Sequence, residues 1–347
     1  STNEVGDGGS IYVTESSETN GRSISIQNCQ FLNNKAAEDN SIISCMRNEL
    51  IIHSCNFEFE NNKHQKYVFI KLTRLESNIK LENSTFQKNS VEGQLIEDFV
   101  LPKILTMKTT NVIINDCTFK DFGNKAIEIN NEKSSLDSLQ FTNNDISGSN
   151  EFLYLTNILT SPKISGNIFH DFQINSFDFI IEIDHNVQEI LLEDNTFKVF
   201  IRESSTNSGV GLVFRRNDNA LFTLIFINCN FHDIENRNEN NDHQNGGAFQ
   251  YGIYDFMRNV NIKFESCQFS MNKCTHGKGG ALSVSIDNDL TITDCIFKDN
   301  YAPQDGGAIY IDPSSITSAK TTINNCTFEN CISPLPINYQ ELEVHQA

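Results

Sequence analysis

The apolar residues of this chain recur in a short alternating pattern that is interrupted once by an extra polar residue. In residues 24–31, "ISIQNCQF", apolar side chains stand at Ile24 and Ile26 and then, after a step of three, at Cys29 and Phe31. Alternation with period two predicts a strand with one buried face, and the single break predicts a corner after which the apolar side still points inward. Further copies follow at intervals of roughly 23 to 38 residues, beginning at residues 50, 79, 112, 139, 162, 190, 224, 262, 290 and 321.

The corner position of every copy holds a residue that favours turns. The eleven residues in this column are Asn28, Ser54, Asn83, Asp116, Asn143, Gly166, Asp194, Asn228, Ser266, Asp294 and Asn325. Asn, Asp, Ser and Gly tolerate turn or left-handed backbone geometry, whereas a column selected only for polarity would also contain Lys, Glu and Gln. We therefore expect a sharp corner at each of these positions.

A further short apolar segment precedes most copies, as in "GGSIYV" (8–13), "KAIEIN" (125–130) and "GGALSV" (279–284). A unit of several short strands cannot bury its apolar face alone, so successive copies must stack and pair in parallel. Crossovers between parallel strands are right-handed, and left-handed coils use much shorter repeats than the coils of about 28 residues here. The sequence thus predicts an all-β fold, a right-handed parallel β-helix (solenoid) of about eleven rungs and about 50 Å.

One domain over residues 1–331 is expected, with residues 332–347 as a C-terminal tail or cap. An uncapped coil presents an open strand edge, so we also expect either continuation in a longer protein or self-association end to end. The alternative of a β-propeller predicts blades of roughly 40 to 50 residues with antiparallel hairpin signals, and the pattern has neither.

Two columns should fill the interior of the coil. The Phe that closes most copies is expected to stack from rung to rung as an aromatic spine. The position after the corner is Cys in seven copies and Ser84, Asn144, Asn167 or Asn195 in the other four. Stacked Asn side chains hydrogen-bond along the stacking direction, so an internal amide ladder is predicted there.

The cysteines of this column have three interpretations. A cysteine that points into a narrow core behaves as a small apolar residue, which is the favoured interpretation. Disulfides are the second, because stacked rungs bring Cα atoms within bridging range, and the pairs considered are Cys267 with Cys295 and Cys326 with Cys331. Metal binding is disfavoured, since the thiols come one per rung without the paired spacing of zinc sites. We predict no metal and no cofactor.

Two short motifs accompany the copies. Gly-Gly-Ala followed by an apolar residue occurs at 246–249, 279–282 and 306–309, and Phe-x-x-Asn occurs at 31–34, 86–89, 269–272 and 297–300, among others. In these motifs the chain resembles the polymorphic outer membrane proteins, a family of surface-exposed, adhesin-like β-helices within the pectin-lyase-like superfold. The resemblance implies a non-enzymatic extracellular or cell-surface rod. Over residues 93–215 the doubled glycine is lost and only the apolar and corner patterns remain.

Composition and charge limit the classes of partner that this chain is expected to bind. The formal charge is −19, so a basic face for nucleic acid or an anionic membrane is not expected. No apolar run reaches the roughly 18 residues of a membrane span, and a chain that begins at Ser1 is expected to be a mature product or a fragment. The Asn- and Ile-rich, Trp-free composition also resembles surface proteins of protists with AT-rich genomes. Expected partners are other surface or matrix proteins, with glycans as a further class, and loop 232–246 is the preferred contact region.

Secretion would make two sequons glycosylation candidates, at Asn83 and Asn325. Both fall on the corner column.

The rival function is a carbohydrate-active enzyme, a polysaccharide lyase or glycoside hydrolase, because many parallel β-helices work on sugars. Such chemistry needs clustered carboxylates with a His or a cationic residue. The acidic loops 234–247 and 299–307 are the best sources of oxygen ligands, but they are interpreted as solvated turns. His170, His185 and His276 have no carboxylate or serine partner at motif spacing, so we expect surface positions for them. No residue is predicted to be catalytic.

Overall fold

The computed structural model describes seventeen stretches of the chain, and all statements below concern these residues. They are 8–13, 23–32, 41–45, 49–60, 68–89, 103–122, 126–129, 138–149, 152–158, 160–174, 180–202, 212–216, 220–237, 246–251, 260–286, 289–313 and 320–334. Every regular element in these stretches is a β-strand. The same stretches contain no helix with the length and apolar character that crossing a membrane requires.

The strands form three sheets. The large sheet contains Gly8–Val13, Ser23–Gln27, Ser41–Cys45, Glu49–His53, Val68–Glu82, Lys103–Asn115, Ile127–Ile129, Ser138–Thr142, Leu153–Ile158, Lys163–Ser165, Ile181–His185, Glu189–Glu193, Leu212–Arg216, Phe222–Ile227, Val260–Glu265, Leu290–Thr293 and Thr321–Asn324. The second sheet contains Gln30–Leu32, Asn56–Glu60, Thr85–Asn89, Thr118–Phe122, Asp145–Ser149, Ile168–Ile174, Thr196–Arg202, Asn230–Asn236, Gln268–Ser270, Lys273–Cys274, Ile296–Lys298 and Thr327–Glu329. The small sheet contains Phe249–Tyr251, Leu282–Ile286 and Ile309–Pro313.

Each copy of the sequence pattern is one rung of a coil. The apolar half before the corner lies in the large sheet, and the Phe-containing half after the corner lies in the second sheet. Equivalent positions pair in parallel between successive rungs, as Ile26 does with Ile52 and Phe31 with Phe57. The eleven copies therefore stack in chain order, which confirms the predicted all-β parallel coil and its number of rungs.

All eleven predicted corner residues have left-handed backbone geometry. Their φ angles lie between 47° at Asn83 and 68° at Gly166. In this region the Cβ of most residues is too close to the neighbouring carbonyl, whereas Gly, Asn and Asp are tolerated. The polar column in the sequence is thus explained by backbone geometry.

The two predicted interior columns are also present. Phe rings stack from rung to rung at both ends of the coil, with ring centroids 4.6 Å apart at Phe31 and Phe57 and 4.9 Å apart at Phe297 and Phe328. The amide ladder runs through the middle, where Asn144 donates to Asn167 Oδ1 and Asn167 donates to Asn195 Oδ1, each at 2.9 Å. All three Asn residues are buried.

A second left-handed corner was not predicted. It lies two residues after the Phe in seven rungs, at Asp121, Asp171, Val199, Asp233, Met271, Asp299 and Asn330. The next residue is buried in five of these rungs, and in two of the five it is the Asn of the Phe-x-x-Asn motif. Asn272 and Asn300 are buried, and Asn272 Nδ2 donates to Asn300 Oδ1 at 3.0 Å. The motif therefore encodes a second corner followed by a second amide ladder.

The doubled glycines have a steric cause. Gly279 has a φ of +72°, and a Cβ on Gly280 would lie 2.1 Å from the carbonyl oxygen of Gly307 in the next rung. The first glycine supplies left-handed geometry, and the second lets successive turns approach closely.

Regular pairing reaches beyond Cys331. Ile332 forms a parallel bridge with Tyr301, which bridges Lys273 in turn. The predicted division at residue 331 is not decided by this contact, and the tail from residue 335 lies outside the described residues.

Candidate functional site

The outer face of the second sheet carries a cluster of one histidine and two carboxylates. His170 follows the Phe of its rung, Asp171 is the second-corner residue beside it, and Asp145 comes from the preceding rung. Asp171 Oδ2 lies 2.5 Å from His170 Nδ1, and Asp145 Oδ1 lies 2.7 Å from His170 Nε2. The His170 side chain is 23% exposed. The expectation that His170 has no carboxylate partner was therefore wrong.

The parallel register causes this error. Asp145 is separated from His170 by 25 residues, so the pair becomes visible only once the rungs are aligned. Asp145 pairs with Ile168 in the ladder, which brings its side chain next to the residue two further on. Sequence spacing within one rung could not reveal a partner on another rung.

The hydrogen bonding connects two rungs through this histidine. One ring nitrogen of His170 contacts Asp171 on its own rung and the other contacts Asp145 on the preceding rung. Lys198 occupies the position next to His170 on the following rung, so a cationic residue belongs to the same column.

The cluster is poorly arranged for acid–base work on a sugar. The two carboxylates lie against different nitrogens of the ring and do not face each other across an open space. Hydrolysis needs two carboxyl groups on either side of a glycosidic bond. In the described stretches of the chain, no group of three or more His, Cys, Asp or Glu side chains is arranged to hold a metal ion.

The other two histidines differ from each other. His185 is fully buried, against the expectation of a surface position, and its ring packs edge-on against Phe222 with 4.5 Å between centroids. It ends a strand in which both faces are largely covered, and this extra burial has no signature in the apolar alternation. His276 is exposed, as expected.

The acidic loop 299–307 uses its carboxylates for contacts within the protein. Asp299 accepts a hydrogen bond from Asn330 Nδ2 at 3.1 Å. Asp305 lies 3.0 Å from Lys278 Nζ, and this contact raises the pKa of Lys278. The same ammonium lies 4.5 Å from the centre of the Tyr310 ring. These contacts agree with the interpretation of the loop as an ordinary turn.

The other acidic loop is only partly described. Glu235 lies between two cations, with Arg237 at 2.7 Å and Lys273 at 3.1 Å. Burial raises the pKa of Glu235, but hydrogen bonds from the two cations outweigh burial, so this pKa lies below its usual value. Residues 238–245, the centre of the contact loop expected at 232–246, lie outside the described residues.

Nine of the ten cysteines have described side chains, and all nine are free thiols in the structure. Burial raises the pKa of Cys117 to about 12, and contact with the Cys229 thiol is the main cause that raises the pKa of Cys267 to about 12. Contact with Cys267 raises the pKa of Cys295 as well. Cys326 and Cys331 are half-buried. Oxidation of Cys267 with Cys295, or of Cys326 with Cys331, stays a prediction.

Both sequon asparagines lie at exposed corners. Asn325 Nδ2 donates a hydrogen bond to Asp294 of the preceding rung, whereas Asn83 has the buried Ser84 as its next residue. Exposure is compatible with glycosylation at Asn83 and Asn325, which remains a prediction.

The stacked rungs, left-handed corners and polar ladders define the class of this protein as a parallel β-helix. A family model described as the right-handed β-helix region matches residues 2–169. No curated protein and no solved structure matches the chain. The fold is thus a right-handed parallel β-helix.

Proposed function

We propose that this protein is a non-enzymatic structural or adhesive β-helix, extracellular or at the cell surface. It acts as a rigid scaffold whose outer faces contact other surface or matrix proteins, and glycans are a second class of ligand. The observation that carries the proposal is the use made of the repeated residues. The corner Asn and Asp, the stacked Phe and the buried Asn all hold one rung to the next.

The resemblance to the polymorphic outer membrane proteins supports this proposal. The glycine pairs and the Asn of the Phe-x-x-Asn motif, which carry the resemblance, close turns and form an internal ladder. Motifs with such contacts specify shape. A family that shares these motifs is expected to share the rod-like β-helix fold. The adhesin-like role of that family is part of this proposal.

A carbohydrate-active enzyme is the second candidate, and one observation favours it. His170 lies beside Asp145 and Asp171, with Lys198 next in the column. This cluster combines residue types that a glycoside hydrolase or polysaccharide lyase uses. Against it, both ring nitrogens are engaged by carboxylates.

A turnover assay separates the two functions. The full chain is incubated with polygalacturonate, alginate and a neutral glucan, and reducing ends and unsaturated products are measured over time. The scaffold proposal expects no product above that of a heat-denatured control. Product formation that is lost in Asp171→Asn, and kept in the matched control Asp121→Asn at another second corner, would overturn it.

A further inference from the structure

Six cysteines of the column after the first corner lie on neighbouring rungs. They form two groups, one pair and one run of four. The pair is Cys29 and Cys55, and the run of four is Cys229, Cys267, Cys295 and Cys326. Because each group has an even number of members, every thiol can take a neighbour as its own partner.

The parallel register brings the members of each group side by side. Gln30 pairs with Asn56, so the residues before them, Cys29 and Cys55, lie beside each other. The same register continues through all three steps of the run of four. Neighbouring strands lie about 4.8 Å apart, and a disulfide bridges Cα atoms that are about 4.4–6.8 Å apart. The spacing of the rungs therefore suits a bond between neighbours.

The sulfur atoms of these cysteines lean in one direction along the coil. Cys55 Sγ lies 3.5 Å from the Ile26 carbonyl oxygen of the preceding rung, and Cys267 Sγ lies 3.4 Å from the Phe226 carbonyl oxygen. Cys295 Sγ accepts a hydrogen bond from the Cys267 N–H at 3.4 Å. Each of these sulfurs is thus directed towards the cysteine before it in the column.

Cys117 differs from the other six cysteines of this column and provides an internal control. Its N–H donates to Asn144 Oδ1 on the following rung at 2.9 Å, and Ser84 is its neighbour on the preceding rung. Ser84 also bounds the pair, because the Cys55 N–H donates to Ser84 Oγ at 3.1 Å. Within the described column, Cys117 therefore has a thiol on neither neighbouring rung.

The run of four has a single complete pairing between neighbours. A bond between the middle members, Cys267 and Cys295, leaves Cys229 and Cys326 three rungs apart. That separation is about 14 Å, whereas Cα atoms more than about 7 Å apart cannot be bridged without backbone movement. Bonds from Cys229 to Cys267 and from Cys295 to Cys326 use all four thiols.

Cys331 belongs to the other ladder. It follows the second corner at Asn330, and its Sγ accepts a hydrogen bond from Asn300 Nδ2 at 3.6 Å. Its neighbour on the preceding rung is thus an amide. Cys326 has Cys295 as its neighbour within its own column, so Cys295 is the better placed partner for Cys326.

From these neighbours we infer that the column forms three disulfides between adjacent rungs when the chain folds in an oxidising compartment. The three bonds are Cys29–Cys55, Cys229–Cys267 and Cys295–Cys326. Cys117 stays a thiol. This pairing replaces the two pairs considered from the sequence alone. The inference rests on the extracellular setting of the proposed function and adds covalent links between the rungs of the scaffold.

The oxidant for each bond is a small disulfide such as glutathione disulfide. One cysteine thiolate attacks a sulfur of the oxidant and releases one glutathione thiolate. The neighbouring cysteine thiolate then attacks the mixed disulfide and releases the second. Two electrons pass to the oxidant, and the two cysteine protons end on the two glutathione thiols. Cys55, Cys229, Cys267 and Cys295 are buried in the folded coil, so the exchange takes place while the rungs assemble.

Peptide mapping of the full chain tests the pairing. The reduced, denatured chain is refolded with reduced and oxidised glutathione, free thiols are alkylated, and the product is digested with trypsin. Cleavage after Lys and Arg places the six cysteines on six different peptides, and a second digestion after Glu329 separates Cys326 from Cys331. We expect the three inferred pairs of linked peptides in the mass spectrum and full alkylation of Cys117.

Two variants distinguish the inferred pairs from the alternatives. Cys267→Ser should leave Cys229 alkylated and keep the bond between Cys295 and Cys326. Pairing of the two middle thiols would instead leave Cys295 alkylated in this variant. Cys55→Ser is the matched control in the other group, and it should leave Cys29 alkylated without changing the bonds of the run of four.

Several outcomes would overturn the inference. They are a bond between Cys267 and Cys295, a bond between Cys326 and Cys331, and complete alkylation of the six cysteines. Circular dichroism verifies folding, and a chain that does not refold is mapped after secretion into the bacterial periplasm, where disulfides form. The same outcomes decide there. Turnover of a polysaccharide would refute the scaffold proposal and leave the disulfide map unchanged, so the two failures are distinguishable.

Discussion

At the scale of single residues, the left-handed corner is the feature that the sequence reveals best. Eleven corner positions were predicted from the interruption in the apolar alternation and from the column of polar residues at that interruption. All eleven have positive φ. The second corner escaped because its column includes Val199 and Met271, which are not turn-formers. There the surrounding strands impose the geometry on the residue, so local propensity carries no signal.

Val199 is the corner residue that fits its backbone worst. It is β-branched and has a φ of 55°, where equivalent positions hold Asp171 and Asp233. A non-glycine residue with a branched Cβ costs roughly 1–2 kcal/mol in this region. We therefore predict that Val199→Asn raises the free energy of unfolding by about 1 kcal/mol. Urea denaturation measures the change.

The control for this prediction is the reverse substitution, Asp233→Val, which should lower the free energy of unfolding by a similar amount. Equal stability of Val199→Asn and the unsubstituted chain would contradict the strain argument.

The buried amides can be tested in the same way. Asn167 Nδ2 donates to the Asn195 side chain and to the Phe141 carbonyl, each at 2.9 Å, and its Oδ1 accepts from Asn144. Asn167→Ala leaves buried groups unpaired, so we predict a loss of about 2–4 kcal/mol in the free energy of unfolding. Asn167→Asp should cost more, because it replaces two donors by a buried acid.

Thermal and urea unfolding of both variants provide the measurement. If Asn167→Ala is as stable as an alanine at the exposed Asn186, the ladder contributes nothing and the prediction is wrong.

At the scale of elements, the strands and their parallel pairing follow from the period-two pattern and the stacking argument. What the sequence could not supply is the set of contacts between rungs. The pairing of His170 with Asp145 depends on register across 25 residues, and the burial of His185 depends on chain that covers the outer side of its strand. The His170–Asp145 contact and the burial of His185 cannot be predicted from the apolar pattern, because that pattern shows only which face of a strand is apolar.

The buried thiols of the cysteine column are expected to lower the free energy of unfolding as the pH rises above 9. The pKa of Cys117 is about 12 in the folded chain against an ordinary value of 9.0. The unfolded thiol ionises first, so its contribution to stability is complete below pH 9 and is lost as pH rises towards 12. Over this range each pH unit costs about 1.4 kcal/mol per such thiol.

We predict that Cys117→Ser, which removes the titrating thiol, gives a flatter decline of the free energy of unfolding above pH 9. The measurement is urea unfolding at several alkaline pH values under reducing conditions. Identical slopes for the variant and the unsubstituted chain would show that this thiol titrates at its ordinary pKa in the folded state.

At the scale of the whole molecule, repetition is what turns short strands into a rod. One rung has too little apolar surface to fold alone, and stacking buries each Phe and Ile between two others. The sequence predicted this architecture because every rung repeats the same rule. It could not predict which outer surface binds a partner, because the outward positions differ from rung to rung and obey no shared rule.

The central claim is that each copy of the pattern is one rung of the coil, and deletion of a whole copy tests it most directly. Removing residues 267–294 joins Ser266 to Cys295, a shift of 28 residues, and keeps every column in register. Removing one residue more, 267–295, places Ile296 after the corner and turns Phe297 outward. The account predicts a cooperative thermal transition and β-sheet circular dichroism for the first deletion, and a marked loss of both for the second. Equal behaviour of the two deletions would contradict it.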